Sequence, residues 1–480
     1  MLDNKLTSQY VTVANRFLRS INLSNDWRHK ESNQGYIVTQ NVALALDRIY
    51  AGLSARGGQR AYTLIGPYGT GKSAFGVFLC QLLSQDNQVS TDAQLLLSPE
   101  HQHLGKKYNQ LRSQRENAKG FLPIVVTARK RPIAQLLLEG LSKAISELKD
   151  SQSVQDLART ILHFYQNDGW RDTAIFLDLF NQVVTEAKEQ GFAGVLLLVD
   201  EAGKTLEYAL QDRDGGDIYI FQEIAEYANR QHNFSILFLI ILHQMFDDYV
   251  ELAEKTIRAE WTKVQERFQA IQFSESAAAT IKMVAEALQR KEALPTEIEK
   301  AVDEALSVVS RTPIALPVGL DKETFLKLAR RSWPLHPTVL LAIPHLFRRL
   351  AQNERSIFSY LTSHEPYGFQ EQLNRPIDNN ASFILLHDLY AYLLANFEAS
   401  LARMPHAKRL LEANDIINSR HNLSRQDYEL IRTIAILNVL GEMCPIRATA
   451  KFLECATSQG EEIDGELEKL KQQSILTYRK

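Results

Sequence analysis

Gly66-Pro67-Tyr68-Gly69-Thr70-Gly71-Lys72-Ser73 decides how this chain is read. The spacing is that of a phosphate-binding loop, G-x-x-x-x-G-K-[ST], and both flanks agree with it. Before it, Tyr62-Thr63-Leu64-Ile65 reads as a buried strand; after it, Ala74 to Leu83 reads as an apolar helix. Glycines let the backbone curl so that successive N–H groups point at phosphate oxygens. The positive end of the following helix adds to that field. Lys72 is placed to reach the β- and γ-phosphates, and the Ser73 hydroxyl to hold Mg²⁺. All eight residues, Gly66, Pro67, Tyr68, Gly69, Thr70, Gly71, Lys72 and Ser73, form the expected cradle for a nucleoside triphosphate.

Outward from the loop, strands and helices alternate. Thr39 caps a helix with Val42, Leu46, Ile49 and Leu53 on one face. Phe121 to Thr127 is the next strand, and Pro132 sits where it can open a helix. Val195-Leu196-Leu197-Leu198-Val199-Asp200-Glu201 is an unbroken apolar run ending in two carboxylates, the mark of a parallel strand covered on both faces. A helix bearing Ile218, Phe221, Ile224 and Ala228 follows, then a strand from Phe234 to Leu242 that ends in His243-Gln244. Such alternation predicts a parallel α/β sheet. Two polar helical excursions, 85–119 and 153–190, interrupt it, and from Glu275 onward only helical patterns continue.

In an open parallel sheet, ligands lie beyond the C-terminal strand ends, so Lys72 and Asp200 should meet there. Asp200 is expected to hold Mg²⁺ and Glu201 to polarise the attacking water. Adjacent strand residues face opposite ways, so only one of His243 and Gln244 should point into the site; Gln244 is favoured as the γ-phosphate contact. Arg267, in Val264-Gln265-Glu266-Arg267-Phe268, reads equally well as a charge offered to a neighbouring subunit's phosphate or as an ordinary surface ion pair.

Composition narrows the class. At 480 residues the chain exceeds one core, so two or three domains are expected. Net charge is −3, so any nucleic-acid contact must come from a local patch. Cys80, Cys444 and Cys455 are scattered and odd in number, which predicts neither a disulfide framework nor a metal site and fits a reducing cytoplasm. The polar stretch Met1 to Asn15 lacks a signal-peptide core, and the longest apolar run, Ile236 to Leu242, is too short for a membrane span. Asp212-Arg213-Asp214-Gly215 lacks the closing Glu of a calcium loop and reads as a turn. The basic cluster Arg129-Lys130-Arg131 reads as solvated surface.

The order of phosphate loop, strand ending in Asp200-Glu201, strand ending in a polar residue, and Arg267-Phe268 before a short strand resembles the AAA+ ATPases. The initiator and clamp-loader branch and the STAND signalling ATPases are closest in layout. The resemblance covers roughly residues 35–360, and it departs from the family in Gln244, where many members carry Asn, and in the length of the excursions. It implies an α/β fold: a parallel αβα P-loop sandwich with a helical lid and a C-terminal helical, winged-helix-like region. The expected division is a helical leader (1–35), the P-loop domain (36–274), a lid (275–375) and a C-terminal region (376–480).

It also implies ATP and Mg²⁺ as ligands, ATP hydrolysis, a homo-oligomer, and a lid arginine among Arg348, Arg349 and Arg355. Pro334-Leu335-His336-Pro337 and Gln352-Asn353-Glu354-Arg355-Ser356 are similar to segments of bacterial anti-phage ATPases of BREX type, implying protein partners in a defence complex. His336 itself reads as a packed or capping histidine. Near the C-terminus, 430–440, 447–455 and 463–472 read as three short helices and 474–478 as a wing strand, with the chain stopping where a second wing strand would begin, as in a truncated domain. Glu461, Glu462, Asp464, Glu466 and Glu468 make the third helix a poor surface for DNA. Two rival readings stay open: a nucleotide-gated scaffold with little turnover, and a DNA-loading initiator.

Overall fold

Strand pairing, rather than chain order, defines the two units of this protein. The structure is a computed structural model describing residues 5–14, 21–55, 58–97, 101–113, 119–167, 172–211, 218–230, 234–249, 255–350, 357–377, 383–404, 407–441, 446–457 and 463–477. The side chains of 112–113, 247, 255–257 and 349–350 are also outside that description. Asp212–Gly215, 352–356 with Arg355, Cys444, Glu461, Glu462, Tyr478 and the side chain of Arg349 therefore lie outside the described residues. Among the described residues, seven strands form: β1 (Val11–Val13), β2 (Ala61–Ile65), β3 (Lys119–Thr127), β4 (Phe192–Asp200), β5 (Ser235–Leu242), β6 (Gln269–Gln272) and β7 (Leu288–Arg290).

One unit spans Ser20–Glu275 and the other joins Met1–Arg19 to Ser276–Lys480. In the first, five strands lie in the order β3-β4-β5-β2-β6, every pair parallel. Alternation along β4 sends Val195, Leu197 and Val199 into one apolar core and Leu196 and Leu198 into the other. Along β5, Ile236, Phe238 and Ile240 fill the first core, and Leu237, Leu239 and Ile241 the second. Both faces of the sheet are thus covered, which is why these strands read as solid apolar runs. The phosphate-loop helix Lys72–Leu82 and the helix Gln40–Ser54 share one face; the helices Ile133–Ile145 and Tyr219–Arg230 share the other. This is the expected αβα sandwich.

Local signals set its edges. Thr39 Oγ1 accepts from the Val42 amide at 3.3 Å and donates to Glu275 Oε1 at 2.7 Å, so the cap also ties the first helix to the end of the unit. The first excursion forms the helices Asn87–Leu95 and Gln102–Ser113, which add Ala93, Leu104, Tyr108 and Leu111 to the core under the phosphate-loop helix. The second forms Gln152–Gln166 and Thr173–Glu189 on the opposite face.

The other unit is helical apart from one two-stranded ribbon. Among the described residues of 1–35, the expected helical leader gives way to a strand: Val11–Val13 pairs antiparallel with Leu288–Arg290, and Leu6 bridges to Pro376. A β-branched Val-Thr-Val triplet with a distant partner overrides the local helical reading. Trp333, Tyr360, Tyr390 and Tyr392 are the largest fully buried side chains of its core. His336 behaves as expected of a packed cap. Its Nδ1 lies 2.7 Å from Thr338 Oγ1 and accepts from the Thr338 amide at 3.3 Å, at the start of the helix Pro337–Leu350.

Near the C-terminus the helices Arg425–Leu440, Ala450–Ala456 and Ile463–Gln472 form, but no wing strand follows over 474–477. Ser474 takes a left-handed φ of 55°, and the Ile475 and Leu476 amides bond back to the Leu470 carbonyl. Those amides satisfy the helix end instead of a sheet. Within the third helix Lys469 pairs with Glu466 and Lys471 with Glu468, and Lys469 also bonds the buried Asp427. No described helix is long and apolar enough to cross a membrane.

Candidate functional site

Register brings the chemistry to one edge of the sheet. Ile65 pairs with Leu242, and Thr127 with Asp200, so β2, β3, β4 and β5 end close to level. Because β5 lies between β4 and β2, the residue after β5 falls between the acidic pair and the phosphate loop.

The loop is built by its backbone. Gly69 and Gly71 hold φ of 73° and 84°, left-handed values that side chains resist. Gly66 passes so close to the chain after β6 that an added Cβ would lie 2.2 Å from the Phe273 carbonyl oxygen. Lys72, only 4% exposed, donates to the Gly66 carbonyl at 2.5 Å and the Pro67 carbonyl at 2.7 Å. Burial pushes its pKa down to about 8, with the nearby Asp200 working in the other direction. Asp200 is also 4% exposed; burial raises its pKa, opposed by hydrogen bonds from the Ser73 hydroxyl and the Glu201 amide. Thus Lys72 and Ser73 at the start of one helix meet Asp200 at the end of a strand two positions away. Both charges are held at a desolvation cost that a Mg²⁺–polyphosphate would relieve, since a cation favours the carboxylate and phosphates favour the ammonium.

Among the described residues, no group of three His, Cys, Asp or Glu could hold a metal by itself. One carboxylate and one hydroxyl beside a phosphate cradle fit Mg²⁺, which is commonly held by few protein ligands and substrate phosphates. A cavity of about 240 Å³ lies elsewhere, beside β2 and β6 between Ile65, Phe246, Gln265 and Phe268.

Glu201 adopts φ 53°, a strained conformation for a residue with a side chain, and its carboxylate is 2.5 Å from Lys204 Nζ. Of the pair after β5, the structure reverses the expectation. Gln244 is exposed, whereas His243 turns inward and stacks on Tyr68 of the phosphate loop, ring centroids 3.4 Å apart. Neither ring nitrogen of His243 has a hydrogen-bond partner among the described residues. Burial, Lys72 and Lys204 together push its pKa down to about 4, so the ring is neutral near pH 7. The Tyr249 hydroxyl braces this corner through the His243 and Gln244 amides.

Arg267 stands apart. It precedes β6, whose Gln269 pairs with Tyr62, so it lies at the opposite edge of the sheet from the phosphate loop. Its Nε donates to Glu226 at 2.9 Å. Arg129, Lys130 and Arg131 are exposed, with Lys130 3.7 Å from Glu207. Arg348 is exposed on a helix of the other unit. Sequence reasoning missed Lys204 and Tyr249; the only sign of the first was a lysine three positions after Glu201, where a helix begins.

No protein-family model matches the chain, and no curated protein does. Among solved structures, it is similar to the Aeropyrum pernix ORC2 protein in its ADPNP–ADP complexes. That match has 14% identity and a TM-score of 0.35, over 93% of this chain and 90% of that one. The ADP form of the same protein matches at 13% identity and a TM-score of 0.35, over 92% and 88%. A likeness this distant adds nothing to the site, which stands on its own geometry.

Proposed function

We propose that the unit spanning 20–275 binds and hydrolyses Mg–ATP, and that its nucleotide state drives assembly or a conformational switch. The observation that carries this reading is the hydrogen bond between the Ser73 hydroxyl and Asp200 beside the buried Lys72 ammonium. Lys72 and the loop amides would bind the β- and γ-phosphates. Ser73 and Asp200 would hold Mg²⁺, which when bound neutralises charge on the transferring phosphoryl group. Glu201 would accept a proton from the attacking water. Adenine is assumed over guanine, since the chain carries no Asn-Lys-x-Asp motif. Isothermal calorimetry with ATP, ADP and Mg²⁺ tests the reading; folded protein that takes up neither nucleotide would end it.

His243 replaces Gln244 as the proposed contact to the γ-phosphate or attacking water; its stacking on Tyr68 of the loop supports this. His243→Ala is expected to slow steady-state phosphate release on the order of tenfold or more, the loss of one hydrogen bond to a charged group. Gln244→Ala should change it less than about twofold, as exposed substitutions usually do. Equal effects would return the role to neither residue.

Arg267 cannot serve its own pocket from the far edge of the sheet, so any catalytic part for it requires a second copy and release from Glu226. Light scattering with and without ATP decides this. Nucleotide-dependent oligomers keep the role, and a monomer with full turnover removes it.

The scaffold reading, slow turnover with tight binding, draws support from the Glu201–Lys204 pair, which occupies the water-polarising carboxylate. The defence-complex setting rests on the resemblance of residues 334–337 and 352–356 alone, and the second stretch lies outside the described residues. The initiator reading gains nothing from the paired, acidic third helix.

A further inference from the structure

Lys204 is the cation of this site that neither the loop motif nor the acidic pair accounts for. It opens the helix Gly203–Gln211 directly after the β4 turn. Its ammonium is 2.5 Å from Glu201, and it also interacts electrostatically with Asp200 and with Tyr68 of the phosphate loop. It acts on His243 alongside Lys72, so it approaches the phosphate loop from the acidic side. The side chain is 44% exposed and paired three residues along its own helix. Exposed pairs of that kind are weakly held, and a lysine's four-carbon stem is flexible.

We propose that Lys204 is a second phosphate lysine, specific for the γ-phosphate, which exchanges Glu201 for the bound triphosphate. This rests on the nucleotide reading above and deepens it. In the resting pair Lys204 neutralises Glu201, the carboxylate needed by the attacking water. A γ-phosphate carries more negative charge than one carboxylate and sits where the loop and β4 converge. When Lys204 swings to it, Glu201 is released. Recognition of a third phosphate and arming of the base then become one event, and a diphosphate, which lacks the attracting group, leaves the pair closed.

The test is calorimetry with ADP and the non-hydrolysable β,γ-imido analogue of ATP on the full chain, with melting curves for every variant. Lys204→Met is expected to lower affinity for the triphosphate about ten- to a hundredfold, the loss of one charge-assisted phosphate contact. ADP affinity should stay within about twofold of wild type on the same scale, and Lys204→Arg should restore most of the preference. Glu201→Ala, which removes the resting partner, should tighten triphosphate binding. If Lys204→Met keeps the wild-type triphosphate-to-diphosphate ratio, whatever its turnover, the exchange is overturned while the nucleotide site survives. If wild-type protein binds neither nucleotide, the site and the exchange fall together.

Discussion

Lys72→Ala should bind ATP on the order of a hundredfold more weakly than the native chain, the loss of two charge-assisted hydrogen bonds. Two carbonyls, those of Gly66 and Pro67, now accept from the Lys72 ammonium. Without it, their negative ends face the incoming phosphates with nothing to offset them. Asp200 also loses the cation that opposes the rise in its pKa. Folding should suffer as well, because the buried Asp200 and two carbonyls lose a partner, so the melting temperature should fall. Calorimetry beside a thermal melt separates the two outcomes. Undiminished ATP affinity in a well-folded Lys72→Ala protein would remove the phosphate role of the loop.

Glu201→Gln should instead keep or tighten ATP binding and lower turnover by about 10²–10⁴-fold, the contribution of a positioned general base. The substitution keeps the size of the side chain and, through the backbone, the strained φ of 53°. It removes both the proton acceptor and the charge that attracts Lys204. A chain that traps ATP without releasing phosphate is therefore the expected product. Single-turnover phosphate release against equilibrium ATP binding measures both quantities. If turnover is unchanged, the scaffold reading gains and Glu201 loses its role.

Much of the unit spanning 20–275 was legible because its signals are short-range. Unbroken apolar runs announced β4 and β5, the glycine spacing announced the loop, and Thr39 announced its helix. The site residues at strand ends were harder, for a specific reason. Side-chain alternation is fixed by the pleat only while the strand lasts, and β5 ends at Leu242. His243 and Gln244 lie in the bend beyond it, so alternation says that one turns inward but not which. Lys204 looked like any helical surface lysine; its meaning comes from the turn that carries Glu201 toward it. The first strand and the missing wing strand share another cause. Val11–Val13 depends on a partner far along the chain, and 474–477 is claimed by the carbonyl of Leu470 rather than by a neighbour. Window-based reading sees neither.

The pairing of Val11 with Arg290 has a consequence for synthesis. β1 is translated before the stretch bearing the lysine loop and the acidic pair, and its mate β7 only after that whole stretch. That inner body can close on itself while the outer one waits, an order in keeping with domain-wise folding during translation. The two bodies are consequently joined by a pair of crossings, near residues 19 and 275, rather than by a single tether.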